Sequence, residues 1–241
     1  MGVLTRTGHP EMAGNGHVRR NPRSKTRSMT TSQTSWRHWL FARWYPWLME
    51  RAEKAGQGEI RRAQLSQARG RTLEIGAGSG FSLPYYTDLV EELTLVEPHA
   101  GLREQLASQV VDAAPRRIVL ADGDVHALDH PDATFDTVTA SLVFCSLSDP
   151  RLALAEVHRV LKPGGRFLFH EHVRGSGLRA FLQEVMTPLQ RFVADGCHAD
   201  RDFEGLLADS PLQIESVTRT RMPCAVPTIV PLVVGSARRA A

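Results

Sequence analysis

Leu73-Glu74-Ile75-Gly76-Ala77-Gly78-Ser79-Gly80 places three glycines at alternate positions directly after a short apolar run, with an acid just before them. Without a Cβ, a glycine backbone can turn sharply and approach a ligand closely. A strand, a glycine turn and a helix-compatible run in that order form a cradle for a nucleotide-like molecule. Gly76, Ala77, Gly78 and Gly80 supply its floor. A second acid, Glu97, closes another apolar run and is followed by Pro98. Carboxylates about twenty residues beyond such a turn accept hydrogen bonds from ribose hydroxyls.

The spacing selects among ligands. A dinucleotide fingerprint, G-x-G-x-x-G, would put its third glycine at position 81, where this chain has Phe81. A pyrophosphate is also poorly served by Glu74. S-adenosylmethionine has no phosphate and carries an ammonium that an acid attracts. Asp122-Gly123-Asp124-Val125 follows a third apolar run. Asp124 and Val125 are expected at the adenine edge. Ser141 is expected near the methyl-bearing end.

Three stretches have residue types suited to chemistry on a second substrate: Ser141 to Ser146, His170-Glu171-His172, and Asp195-Gly196-Cys197-His198. On a strand, His170 and His172 share one face and Glu171 takes the other. Histidine is the natural base near neutral pH. His172, His198 and Glu171 are therefore the catalytic candidates. A metal site is not expected, since the His-Glu-His triplet lacks an evident third ligand.

These residues need a frame. Strands are expected from about Arg71, then over 92–97, 117–121, 135–141 and 166–171, with two more over 212–221 and 228–235. Helical patterns lie over 99–111, 150–161 (with Asp149 as cap) and 178–193. Leu161-Lys162-Pro163-Gly164-Gly165 makes the turn into the fifth strand. Strands alternating with helices give an α/β fold: a Rossmann-like, seven-stranded, mostly parallel sheet with helices on both faces and an antiparallel strand near the C-terminal edge. Ligands bind at the carboxyl ends of such strands. Gly76 to Gly80, Glu97, Asp124 and Ser141 all fall there.

As a set, these motifs over about residues 70–175 resemble the class I SAM-dependent methyltransferases, in that family's order. A narrower likeness runs through Ser141 to Ser146, Glu171-His172-Val173 and Gly196-Cys197-His198. It is to the methyltransferase-like thiol S-methyltransferases and their bacterial relatives. The resemblance implies methyl transfer from S-adenosylmethionine to a small, fairly apolar acceptor, with a thiol favoured. Its alternatives are C- or O-methylation of a quinone precursor or phenol, and phospholipid N-methylation. A SAM-binding protein without catalysis is the reading from another class. The aromatic N-terminal helix, Val143, Phe144 and Met186 are expected to line the acceptor pocket.

The chain has 241 residues, 29 Lys and Arg, and 26 Asp and Glu. Six of the bases and one of the acids fall in residues 1–35, leaving 23 against 25 for the rest. The near-neutral remainder argues against a nucleic-acid-binding domain. Residues 1–34 read as a disordered basic tail. Residues 35–241 read as one domain: an N-terminal helical lid over 35–69, a cofactor core over 70–175, and acceptor-side elements over 176–241. Trp36, Trp39, Trp44 and Trp47 crowd the start of the lid, and Pro46 is expected to bend or interrupt it. Peripheral membrane contact through this Trp-rich helix is a further reading. No stretch approaches a membrane span. Cys145, Cys197 and Cys224 form no CxxC pair, which suits a reduced, cytoplasmic protein. A monomer or homodimer is expected.

Overall fold

A computed structural model describes residues 36–110, 117–194, 196–223 and 228–241; for residues 36–42, 45 and 193 it describes the backbone alone. The expected basic tail, Ser35, Asp195 and Cys224 lie outside the described residues. Seven strands form one sheet: β1 Gly70–Ile75, β2 Val90–Val96, β3 Ile118–Ala121, β4 Phe135–Ser141, β5 Leu161–His172, β6 Gln213–Arg221 and β7 Pro231–Arg238. Their order is β3-β2-β1-β4-β5-β7-β6. The first five are parallel, and β7 runs antiparallel between β5 and β6. The strand order reverses between β1 and β4, so the crevice between their carboxyl ends is where such sheets bind ligands.

Strand alternation divides the interior into two layers. Leu73, Ile75, Phe167 and Phe169 point to one face, where they pack with Leu154 and Val157 of α4 (Pro150–Val160) and Phe203 and Leu207 of α6 (Phe203–Ala208). Leu93, Leu95 and Leu168 point to the other, against Leu65 of α2 (Gly58–Leu65) and Leu106 of α3 (Ala100–Gln109). Helix starts follow local chemistry. Asp149 accepts from Leu152 N at 3.0 Å, as its position suggested, and Asp202 accepts from Gly205 N at 3.0 Å. The Pro-Gly-Gly turn appears as a bulge. Leu161 pairs with Phe135 and Arg166 with Thr137, so the four residues between loop out, with Gly164 at φ 76°.

Three expectations need correcting. No helix follows the glycine turn. Only a 3₁₀ turn, Leu83–Tyr85, fits between Gly80 and β2, because Pro84 sits in that short segment. The N-terminal helix α1 (Trp36–Ala52) runs through Pro46 without interruption. Its break comes later, in a π-helical turn over Glu53–Gln57, where Gly56 adopts φ 122°. Phe144 does not line a pocket. It is fully buried, with ring centroids 5.8 Å from Phe167 and 5.2 Å from Phe203.

That placement gives Phe144 a packing role. Phe144→Ala should lower unfolding free energy by about 3–5 kcal/mol in urea titrations; a loss below about 1 kcal/mol would contradict the packing described.

Candidate active site

The glycine turn is built as its residue types require. Gly76, Gly78 and Gly80 have φ of 62°, 58° and 97°, the left-handed region that favours glycine. A Cβ on Gly76 would lie 2.6 Å from Val143 Cγ2, whereas one on Gly78 would meet nothing within 4 Å. The first glycine thus lets the turn pack against the loop after β4. The second stands beside open space at the crevice. Ala77 N donates to Val96 O at 3.1 Å, which ties the turn to the end of β2.

Glu97 completes that tie. One carboxylate oxygen accepts from Gly78 N and the other from His99 N, each at 2.8 Å. Burial raises its pKa, and the two amides pull it back. Each oxygen keeps a free lone pair for a further donor. Glu74 lies deeper. Tyr86 Oη donates to it at 3.1 Å and shares a 2.7 Å bond with Thr139 Oγ1. Burial pushes the Glu74 carboxyl up to about 7, against Ser82 and the Arg61 guanidinium. Arg61 is itself buried, bound to Glu53 and donating to Ser82 Oγ at 3.1 Å. Through Glu53, the π-helical turn is fastened to the segment just after the glycine turn, by way of Arg61 to Ser82 and directly to Tyr85.

Other candidates are placed as follows. Asp124 stays at the surface after β3, accepting from His126 N at 2.9 Å, while Val125 is buried beneath it. Pro98 is exposed after Glu97. Ser141 ends β4 with its hydroxyl buried and without a protein partner, and Ser79 in the glycine turn is in the same state. Buried hydroxyls normally have a partner. Two orphaned ones, two buried acids and an open glycine suit a cationic adenosyl ligand with hydroxyls of its own.

The loop after β4 forms the facing wall. Leu142 has φ 60°, strained for a leucine, and donates its N–H to His170 O at 2.8 Å. Glu171 accepts from Val143 N at 2.9 Å and Phe144 N at 3.1 Å. Arg201 donates to Phe144 O and to Leu147 O. His198 N donates to Cys145 O at 2.8 Å. Each Glu171 oxygen thus accepts from a backbone amide, which braces this wall. His172 ends β5, and burial lowers its pKa to about 4. His198 is half-buried; burial first, then Arg201 and Arg191, lower its pKa. Its Nδ1 lies 3.9 Å from Asp200. Both histidines thus belong to the carboxyl-end rim, one at the end of β5 and the other bonded to the loop after β4.

Cys145 and Cys197 are free and buried. The nearby Cys197 thiol and burial push the Cys145 pKa well up, which suits a packing residue. Among the described residues no cluster of three or more His, Cys, Asp or Glu side chains could hold a metal.

Sequence reasoning did not single out Gln57, Arg61 or Tyr86. Gln57 Nε2 lies 3.0 Å from His170 Nε2, joining the π-helical turn to β5. Met49 and Ala52 of α1 pack with Phe81, Leu142 and Ile229, above the rim. Trp47 is 60% exposed, with Arg51 over its ring, and so lines no pocket. Met186 is also exposed, on the outer side of α5 (Leu178–Val193).

Residues 73–169 match the family described as a methyltransferase domain. Over that stretch, from β1 to β5, the chain is similar to the methyltransferase domain. Rat "Thiol S-methyltransferase TMT1B" is 35% identical over 54% of this chain, and the match spans about half of that protein's length, 54%. A "Phosphatidylethanolamine N-methyltransferase" from Cereibacter sphaeroides is 29% identical over 65% of this chain and 76% of its own. The crystal structure of YcgJ from Bacillus subtilis superposes with TM-score 0.60 at 19% identity, covering 76% of this chain and 97% of that one. The N-methyltransferase NodS from Bradyrhizobium japonicum, solved with S-adenosyl-L-homocysteine, gives 0.56 at 15% identity over 79% and 88%. The fold is that of the Rossmann-like methyltransferases. Among the described residues no helix is long and apolar enough to cross a membrane.

The raised Glu74 pKa has a defined consequence for the ligand-free protein. A carboxyl at about 7 when folded, against an ordinary 4.5, favours the folded state fully below pH 4.5; that contribution is lost as pH rises through 7. Glu74→Gln cannot titrate there. The stability of wild type relative to Glu74→Gln should therefore fall between about pH 4.5 and pH 7 in thermal melts. A difference that stays flat across that range would contradict a buried, proton-holding Glu74.

Proposed function

We propose that this protein methylates a small, fairly apolar thiol at sulfur. The observation that carries the reading is the weakness of the bases at the rim. Burial holds His172 at about 4 and lowers His198. Such groups are uncharged at neutral pH but poor at removing a proton from a phenol or quinol hydroxyl of pKa about 10. A thiol ionises near 8.5, and its thiolate is already the reactive nucleophile. The activity named for the rat relative, thiol S-methylation, agrees with this choice.

The division of labour follows from position. S-adenosylmethionine supplies a methyl group on a sulfonium cation, open to in-line attack. Gly78, Glu97 and Ser79 hold the adenosyl end, Gly76 and Ala77 shape the turn beneath it, and Asp124 with Val125 borders the base. Glu74, beside the turn, balances the positive charge. Ser141 and the Glu171-braced wall face the methyl. His198, half-buried and near Asp200, passes the thiol proton to water, while His172 accepts a hydrogen bond and orients the sulfur. Met49 and Ala52 of α1 close the rim and exclude water, so positioning supplies most of the rate.

A second reading, N-methylation of a phospholipid amine, is favoured by the Cereibacter relative. An amine must lose its proton before attack, which the same weak bases serve less well.

Product release from the purified protein should be measured with alkyl thiols, hydrogen sulfide, demethylated quinones and phosphatidylethanolamine. Thiols should give S-adenosylhomocysteine at rates at least tenfold above the others, and His198→Ala should flatten the acid side of the pH–rate profile. Turnover of quinones or phosphatidylethanolamine but not thiols would overturn the thiol assignment. An unchanged profile in His198→Ala would remove that histidine as the proton carrier.

A further inference from the structure

Helix α5 is inverted relative to an ordinary surface helix. Its polar side chains Gln183 and Thr187 are buried. The Gln183 amide donates to Val173 O, Ala199 O and Thr228 O at 2.7–3.1 Å and accepts from Gly175 N at 2.7 Å. Those bonds fix the roll of the helix. Its exposed apolar side chains include Leu178, Phe181, Leu182, Val185, Leu189 and Phe192, a stripe at helical spacing. Leu178 is 74% exposed and Phe181 59%. A soluble monomer rarely shows a contiguous apolar patch beyond about 300–600 Å² without a use for it.

We propose that this face of α5 seats on the surface of an anionic lipid bilayer. Charge complementarity favours lipid over a second copy of the chain. Arg179 and Arg191 stand in its first and last turns. Glu184, the one acid of α5, is paired with Arg174 just before the helix, and that pair is neutral. An open cavity of about 440 Å³ at the first turn is lined by Leu178, Arg179, Arg219 and Pro231, among others. Arg219 is paired with Glu204, so the cavity offers a phosphate headgroup the Arg179 side chain beside the apolar Leu178. Two copies packed through α5 would bring these arginines together. Upstream of α1 the sequence adds six bases against one acid. An apolar helix face and a basic segment together make the two signals that stable surface attachment needs.

The site also gains by position. β5 ends at His172, and α5 begins six residues later. A protein lying on this face would hold its acceptor rim next to the lipid, where apolar small molecules concentrate. The docking itself does not depend on which acceptor atom is methylated.

Co-flotation of the full chain with phosphatidylcholine vesicles, with and without phosphatidylglycerol, tests the proposal. Wild type should float with the anionic vesicles and detach in high salt. Phe181→Ser combined with Leu189→Ser should weaken partitioning by roughly tenfold or more, with donor affinity unchanged. In the unmodified protein, amide hydrogen exchange across 178–193 should slow on adding anionic vesicles. Absence of flotation, flotation undiminished in the double variant, or unchanged exchange in α5 would each overturn it. So would a wild-type dimer that the double variant splits without any vesicle binding.

Discussion

The buried carboxylate of Glu97 joins the two strands on which the proposed donor site is built. By accepting from Gly78 N and His99 N, it locks the glycine turn after β1 to the start of α3 after β2. Burying an acid is costly unless hydrogen bonds or a cation compensate it. Two backbone amides do part of this for Glu97. Glu74 has Tyr86 and, farther off, Arg61, and its pKa still rises to about 7. Two acids held short of full compensation beside an open glycine form a site in which a positively charged ligand is worth more than a neutral one.

The opposite wall obeys a different rule. Leu142 takes a left-handed conformation that leucine resists, and the loop beyond it is secured by three side chains or backbones from elsewhere: Glu171, Arg201 and the His198 amide. Strain of this kind persists only where the surroundings over-determine it. The result is a rigid surface opposite the donor. Catalysis by positioning demands rigidity there, and under the proposed thiol methylation the modest basicity of the rim histidines suffices, because a thiol ionises easily.

Much of the frame was legible from residues alone, because it rests on local rules. Alternate glycines, an apolar strand before them and an acid after the next strand impose one topology. Asp149 announces its own helix, and Pro163-Gly164-Gly165 its own turn. What escaped depends on tertiary partners that no periodicity encodes. Gln57 reaches His170 only because Gly56 permits a π-helical turn. Phe144 reads as a pocket residue beside Val143, yet the aromatic group of Phe167 and Phe203 draws it inward. Glu171 sits between two histidines as a catalytic acid would, yet its oxygens are engaged with backbone amides. The run after Gly80 has helical composition, but Pro84 and the nearness of β2 leave room for one 3₁₀ turn.

Under the proposed function, a proton-holding Glu74 belongs to the site of the cationic donor. Calorimetry of S-adenosylmethionine binding in buffers of different ionisation enthalpy, near pH 7, addresses it most directly. As the ligand's charge settles beside Glu74, its proton should leave, so wild type should release more protons on binding than Glu74→Gln. Equal proton counts for the two proteins, or no binding heat in wild type, would contradict the account.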